Sequence, residues 1–115
     1  MRTYLIEDLT PGDLAKITGK FKENGWSGSL EGIYYLPVPE HLLTDEQREH
    51  AEECGPHIFA LEAMADEDTG VLKLELLVRA RGKLRCSCVC YATAAQREHI
   101  VDFLDTFIRE LDIAV

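Results

Sequence analysis

The sequence predicts an α+β domain in which an antiparallel sheet of about four strands carries the N- and C-terminal helices on one face. Two segments, one near each end of the chain, have the apolar spacing of helices. Several segments between them alternate apolar and polar residues, as strands with one buried face do. No linker rich in Gly, Ser or Pro divides the 115 residues, so we expect a single domain over 1–115.

The first half of the chain predicts two helices and an edge strand. Thr10 and Pro11 form a helix start, and the helix should end near Asn24, while "RTYLI" before it suggests a short strand. The segment Gly28–Leu36 alternates until "PVP" ends any ladder, which indicates an edge strand. Thr44 then precedes "DEQREHAEEC", a capped but poorly amphipathic segment that we expect to form a helix on the surface.

The second half predicts three strands and a long helix. The strand candidates are His57–Asp66, Val71–Ala80 and Leu84–Tyr91. Thr93 and Gln96 have the spacing of a capping box at the start of the helix. Its apolar stripe is the strongest periodic signal in the chain: Ile100, Phe103, Leu104, Phe107, Ile108 and Leu111.

This order of elements resembles the C-terminal part of a profilin-like or roadblock-type domain. The resemblance covers the chain from His57 onward, rests on three consecutive strands followed by a long helix, and involves no shared motif. It implies a two-layer sandwich of sheet and helices. The chain lacks the second early strand that such domains place before their middle helix.

The composition disfavours nucleic-acid and membrane partners. The formal charge is −9, from 12 Lys and Arg against 21 Asp and Glu, and such a field repels phosphate backbones and anionic lipids. No apolar run approaches the roughly 18 residues of a membrane span, and "MRTYLIED" lacks the apolar stretch of a signal peptide. We therefore expect a cytoplasmic protein with four free cysteines.

Three of these cysteines alternate in "LRCSCVCY". On a regular strand with a rise of ~3.3 Å, alternate residues are about 6.6 Å apart. Two thiolates on one tetrahedral zinc ion lie roughly 3.8 Å apart. The alternation therefore favours a strand whose buried face carries Leu84, Cys86, Cys88 and Cys90, with Val78 of the preceding strand opposite Cys86. A redox or metal site remains the alternative.

The stretch "HAEECGPH" is the better metal candidate. His50 and Cys54 are one helical turn apart, and His57 follows just beyond the Gly-Pro stop, so three zinc ligands could converge, with His41 as a possible fourth. We predict no bound cofactor, with zinc as the alternative. The same three residues could form a thiol nucleophile with a histidine base, but no orienting group or oxyanion feature accompanies them, so catalysis is not favoured.

Basic residues cluster in one hairpin, within seven positions: Arg79, Arg81, Lys83 and Arg85. In the predicted register Arg79 lies opposite Arg85, and such a pair of like charges is destabilising unless something compensates. Glu62 or Glu75 on the sheet could compensate, and so could an anionic ligand or an acidic partner.

The outer face of the predicted sheet mixes charges with five large apolar or aromatic residues: Ile33, Tyr35, Leu77, Val89 and Tyr91. Such a patch, rimmed by arginine, is typical of a protein interface. The leading functional prediction is a small protein-interaction module, homodimeric through this face or an edge strand. The alternatives are a metal- or thiol-dependent protein using His50, Cys54 and His57, and a binder of small anions at the basic hairpin.

Overall fold

An antiparallel sheet of five strands forms the centre of the structure, which is a computed structural model describing residues 1–115. Four helices connect or follow the strands. In chain order the elements are β1 (Thr3–Leu9), α1 (Pro11–Glu23), β2 (Ile33–Pro37), α2 (Asp45–Glu49), α3 (Ala51–Cys54), β3 (His57–Ala65), β4 (Gly70–Ala80), β5 (Cys90–Tyr91) and α4 (Ala94–Arg109). The predicted α+β class, with its antiparallel sheet and its terminal helices, is confirmed.

Strand β4 organises the sheet, whose order is β1-β4-β3-β2. Strands β1 and β5 lie end to end along one edge of β4, since Thr3 pairs with Glu75 and Tyr91 pairs with Leu77. The β3–β4 pairing contains a bulge, in which β3 has only Ala60 where β4 has Glu75–Leu77. A bulge of this kind bends the strand and changes the direction of its side chains.

Helices α1 and α4 pack on the same side of the sheet. The Phe21 ring of α1 stacks on the Phe107 ring of α4 at a centroid distance of 5.1 Å. The core between helices and sheet includes Leu14, Ile17, Tyr34, Leu36, Phe59, Leu61, Leu72, Leu74, Val78, Ile100, Leu104 and Ile108. The predicted caps at Thr10 and Thr93 are present, the second as a complete capping box with Gln96. The amphipathic helices thus bury the faces that their periodicity indicates.

Strand β2 is an edge strand, but it begins at Ile33 rather than at Gly28. The preceding segment folds back along its outer side, where Tyr35 N–H donates to Trp26 O at 2.7 Å and Gly28 N–H donates to Ile33 O at 2.7 Å. A side chain at Gly28 would put its Cβ 2.9 Å from the Ile33 carbonyl oxygen. Glycine therefore lets this segment cover part of the edge of the sheet.

The predicted surface helix after Thr44 is divided into α2 and α3, and part of it is buried. The Gln47 side chain of α2 is fully buried, and its Oε1 accepts a hydrogen bond from Gln96 Nε2 at 2.9 Å. Gln47 Nε2 in turn donates to the Cys88 carbonyl oxygen at 3.2 Å. This amide pair joins α2 to α4 and to the cysteine-rich segment, which a purely polar surface helix would not do.

The prediction of a strand over Leu84–Tyr91 is wrong, because only Cys90–Tyr91 pair with β4. Residues 81–89 form a loop, and Leu84 is exposed rather than buried. Val78 pairs with Cys90, so the predicted pairings of Val78 with Cys86 and of Arg79 with Arg85 do not occur. The physical reason is that the backbone of this loop bonds to the end of α3 and not to a neighbouring strand. Arg81 N–H donates to Pro56 O, just after α3, and Gly82 N–H donates to the carbonyl oxygen of Cys54, the last residue of α3.

One hydrogen bond joins the N-terminal strand to the last helix and can be tested. Tyr4 Oη donates to Asp105 Oδ1 at 2.6 Å, and burial together with this bond raises the pKa of Tyr4 to about 12. The phenol therefore donates at neutral pH, and this contribution to stability is fully present below the ordinary tyrosine pKa of 10.0 and is lost as the pH rises from there through about 12. Because the acceptor is a carboxylate, we expect Tyr4→Phe to lower the free energy of unfolding by about 1–2 kcal/mol in urea denaturation.

Tyr91→Phe is the matched control for this variant. The Tyr91 side chain is exposed and its hydroxyl makes no hydrogen bond within the protein, so the free energy of unfolding should not change. Equal losses in the two variants would contradict the assigned role of the Tyr4–Asp105 bond.

Candidate metal centre

The cysteine-rich segment turns sharply where a strand was predicted. Val89 N–H donates to the Cys86 carbonyl oxygen at 3.0 Å, which closes a turn over residues 86–89. In a turn of this kind the side chains of alternate residues can point to one place, whereas in a strand their Cα atoms are held about 6.6 Å apart. The distance argument against chelation by Cys86 and Cys88 therefore does not apply.

The turn brings Cys86 and Cys88 against the helical segment that carries His50 and Cys54. The ligand atoms of these four residues all lie within 4.8 Å of one another. His50 Nδ1 is 3.0 Å from Cys86 Sγ and 3.8 Å from Cys54 Sγ. Around a tetrahedral zinc ion, nitrogen–sulfur separations are roughly 3.5 Å and sulfur–sulfur separations roughly 3.8 Å. We call these four residues the His-Cys cluster, and its spacing fits such an ion.

The local backbone explains why the loop and the end of α3 meet. Gly82 N–H donates to the Cys54 carbonyl oxygen at 2.7 Å, and Arg81 N–H donates to Pro56 O at 3.0 Å. A Cβ atom on Gly82 would lie 2.9 Å from the carbonyl oxygens of both Glu53 and Cys54. Only glycine allows this close approach. The glycine thus places the turn that follows next to Cys54.

The His-Cys cluster lies outside the main core. Cys54 and Cys88 are buried, whereas His50 and Cys86 are half-buried. The cysteines belong to a satellite apolar cluster with only three buried members, Cys54, Ala80 and Cys88. So small an apolar cluster contributes little hydrophobic stabilisation to this corner of the molecule.

The four ligands come only partly from the predicted metal site. His50 and Cys54 are in the cluster, and His57 lies beside it, with its Nε2 atom 3.4 Å from Cys88 Sγ. Burial and the neighbouring His50 lower the pKa of His57, so its imidazole is neutral at pH 7. His41 lies outside the cluster. The sequence analysis kept a metal site at Cys86 and Cys88 only as the alternative and did not combine them with His50 and Cys54, although H-x-x-x-C together with C-x-C is a signal of two chelating ligand pairs.

The thiols of the cluster differ in how readily they lose their protons. Hydrogen bonds from the backbone N–H of Cys88, its thiol and His50 lower the pKa of Cys86 to about 6. Burial raises the pKa of Cys88 to about 12 and also raises that of Cys54. Without a metal ion the cluster therefore holds one thiolate at pH 7, on Cys86, and two protonated thiols.

This difference predicts the order of alkylation after a chelator has removed any metal. We expect iodoacetamide to modify Cys86 at pH 7 faster than Cys54 or Cys88, because Cys86 is a half-buried thiolate and the others are buried thiols. As the pH falls through about 6, Cys86 takes up a proton and its rate should fall. Peptide mapping by mass spectrometry between pH 5 and 8 would measure each rate, and a Cys86 rate no higher than that of Cys54 would contradict the assignment.

The four residues of the predicted basic hairpin have different surroundings in the structure. Arg79 donates through Nε and Nη2 to both carboxylate oxygens of Glu75, at 2.7 and 2.9 Å, because the bulge in β4 brings the two side chains together. Glu75 thus neutralises Arg79, and no like-charge pair needs compensation, because Arg79 does not face Arg85. The Arg81 guanidinium lies 4.8 Å from the centre of the Tyr35 ring. Lys83 and Arg85 are exposed in the loop and form no salt bridge.

The five residues of the predicted interface are divided between the two edges of the sheet and the loop. Ile33 and Tyr35 lie on β2, Leu77 and Tyr91 form a pair between β4 and β5, and Val89 packs against the satellite cluster. The guanidinium of Arg2 covers the Tyr91 ring at 4.8 Å. A homodimer through this face stays a prediction.

Comparison of the chain with protein-family models, with curated proteins and with solved structures finds no match. None of the helices is both long enough and apolar enough to cross a membrane. The functional interpretation therefore depends on the geometry of the chain itself.

Proposed function

We propose that the protein binds one zinc ion through His50, Cys54, Cys86 and Cys88, and that the ion has a structural role. The observation that carries the proposal is the convergence of four ligand atoms within 4.8 Å. Three sulfurs and one imidazole nitrogen form one of the ligand sets that structural zinc sites use. Soft thiolate ligands also select against magnesium and calcium, which prefer oxygen.

The number of ligands supports a structural role over a catalytic one. Catalytic zinc sites have three protein ligands and keep the fourth position open for water or substrate. Here four protein ligands would complete the tetrahedron. The thiol-dependent alternative, with Cys54 as nucleophile and His50 as base, is less well supported, because Cys54 is buried and burial raises its pKa.

The ion would join two segments that are distant along the chain. His50 and Cys54 come from α2–α3, and Cys86 and Cys88 come from the loop after β4, with the whole β3–β4 hairpin between them. The satellite apolar cluster that these segments share has three buried residues. Because metal binding free energy adds to folding free energy, a zinc ion would supply here the stabilisation that a larger apolar core supplies elsewhere.

Neighbouring groups support the ligands as the outer partners of metal sites do. His57 Nε2–H is placed to donate to Cys88 Sγ once that sulfur is a thiolate. The turn is also attached to α2 through Ser87 Oγ, which donates to Glu46 Oε2 at 2.6 Å, and through the bond from Gln47 Nε2 to Cys88 O. These bonds position Cys86 and Cys88 before any ion binds, which lowers the entropic cost of binding.

The first test is native mass spectrometry of the protein purified without a histidine tag. We expect one zinc ion per chain, lost in Cys88→Ser and retained in Cys90→Ser. Cys90 is the matched control because it belongs to the same cysteine-rich segment but lies outside the His-Cys cluster. Excess zinc should raise the Tm of chelator-treated wild type by on the order of 10 °C or more.

Two results would contradict the proposal. One is a chain mass without metal together with a Tm that neither zinc nor chelator changes. The other is equal loss of zinc from Cys88→Ser and Cys90→Ser, which would place the ion elsewhere. The same spectra report the number of subunits and therefore also test the predicted homodimer.

A further inference from the structure

A cavity of about 270 Å³ lies on the outer face of the sheet, on the side away from α1 and α4. It is located where Tyr35 of β2 faces the ends of β3 and β4 and the beginning of the loop 81–89. Pockets for drug-sized ligands measure roughly 300–1,000 Å³, so this cavity suits a smaller molecule. None of the four residues of the His-Cys cluster lines it.

The charged groups of the cavity are all positive. Arg79 and Arg81 line it and no carboxylate does, although the chain as a whole carries a formal charge of −9. Arg79 is already held by Glu75 through Nε and Nη2. Arg81 forms no salt bridge, and its guanidinium lies over the Tyr35 ring at 4.8 Å. Arg81 therefore keeps its charge and its N–H donors available for an anion.

The remaining lining residues provide hydroxyl groups and an apolar wall. Ser29 Oγ and Tyr35 Oη lie 3.2 Å apart, so one hydroxyl donates to the other, and the accepting hydroxyl keeps its O–H available to donate to a ligand. Ile58 is buried under the cavity, whereas the Leu84 side chain at its rim is 85% exposed. An exposed leucine beside an unpartnered arginine favours a ligand that has both an apolar body and an anionic group.

The backbone fixes the position of Arg81 independently of any ligand. Its N–H donates to the Pro56 carbonyl oxygen at 3.0 Å, and the next residue, Gly82, is held against the end of α3. Arg81 is the first residue after β4, and these contacts fix the position of its backbone at the start of the loop. Because its backbone is fixed and its guanidinium lies over an aromatic ring, the Arg81 side chain loses less conformational entropy on binding than an arginine at a flexible loop tip would.

We propose that this cavity binds a small organic carboxylate, whose carboxylate group pairs with Arg81 and whose apolar body lies against Ile58 and Leu84. The planar guanidinium can form two parallel hydrogen bonds with a carboxylate. A phosphate dianion fits less well, because one unpartnered arginine and an apolar wall match a single negative charge with an apolar substituent. No residue of the His-Cys cluster lines the cavity, and Arg81 is positioned by its own hydrogen bond to Pro56 O rather than by a metal ligand.

The test is a titration of the ¹⁵N-labelled protein, as purified, with benzoate at low salt, followed by NMR. We expect saturable shifts of the amide signals of Tyr35, Ala80 and Arg81. Benzamide, which has the same shape without the charge, should bind at least about tenfold more weakly, because a charge-assisted pair with arginine is lost. Arg81→Gln should weaken benzoate binding by a similar factor.

Arg85→Gln is the matched control, because Arg85 is an exposed arginine in the same loop that does not line the cavity. Its affinity for benzoate should equal that of the wild type. The spectra also show whether each variant is folded. Absence of saturable shifts with benzoate, equal binding of benzamide, or equal effects of Arg81→Gln and Arg85→Gln would each overturn the proposal.

Discussion

The backbone pairing of β4 is the interaction on which the other parts of the structure depend. This strand pairs with β3 along one side, and along the other side it pairs with β1 and then with β5. Its inward side chains, among them Leu72, Leu74 and Val78, form the floor on which α1 and α4 pack. Its last residue, Ala80, brings the chain to the point where Gly82 meets the end of α3. The sheet, the helical layer and the position of the His-Cys cluster thus all depend on β4.

Two polar contacts position the cysteine-rich turn, because the apolar cluster beneath it has only three buried residues. One is the buried amide pair of Gln47 and Gln96, which joins α2 to α4 and extends to the Cys88 carbonyl oxygen. The other is the hydrogen bond from Gly82 N–H to Cys54 O. Buried polar groups are costly unless each finds its partner, and a fully paired network consequently allows few other arrangements. These contacts determine where the four ligand atoms meet.

The bulge in β4 bears on which arginine of the cavity is left without a carboxylate. On the outer face Arg79 pairs with Glu75, whereas Arg81, the other arginine that lines the cavity, has no carboxylate partner. At the end of the same strand the chain leaves the sheet and supplies Cys86 and Cys88 to the His-Cys cluster. A basic cluster of four residues within seven positions therefore does not act as one patch. Its members have different partners because the strand is bent and then ends.

The sequence by itself determined the elements whose signals are local. The caps at Thr10 and Thr93 and the apolar stripe after Ile100 predicted α1 and α4, and alternation predicted β3 and β4 closely. The periodicity of a segment indicates which of its side chains are buried. In these four elements the buried face is the one that the periodicity of the segment itself indicates. The sequence also indicated His50 and Cys54 as ligand candidates, since one helical turn separates them.

Only the tertiary structure decided the conformation of the cysteine-rich segment. Alternating cysteines fit a strand face and a turn that gathers thiols equally well, so the local pattern cannot distinguish them. The outcome depends on Gly82 lying against the end of α3 and on His50, which is 36 residues away from Cys86 in the chain. Contacts across such a distance follow from the register and the bulge of the β3–β4 pair, and no local periodicity encodes those.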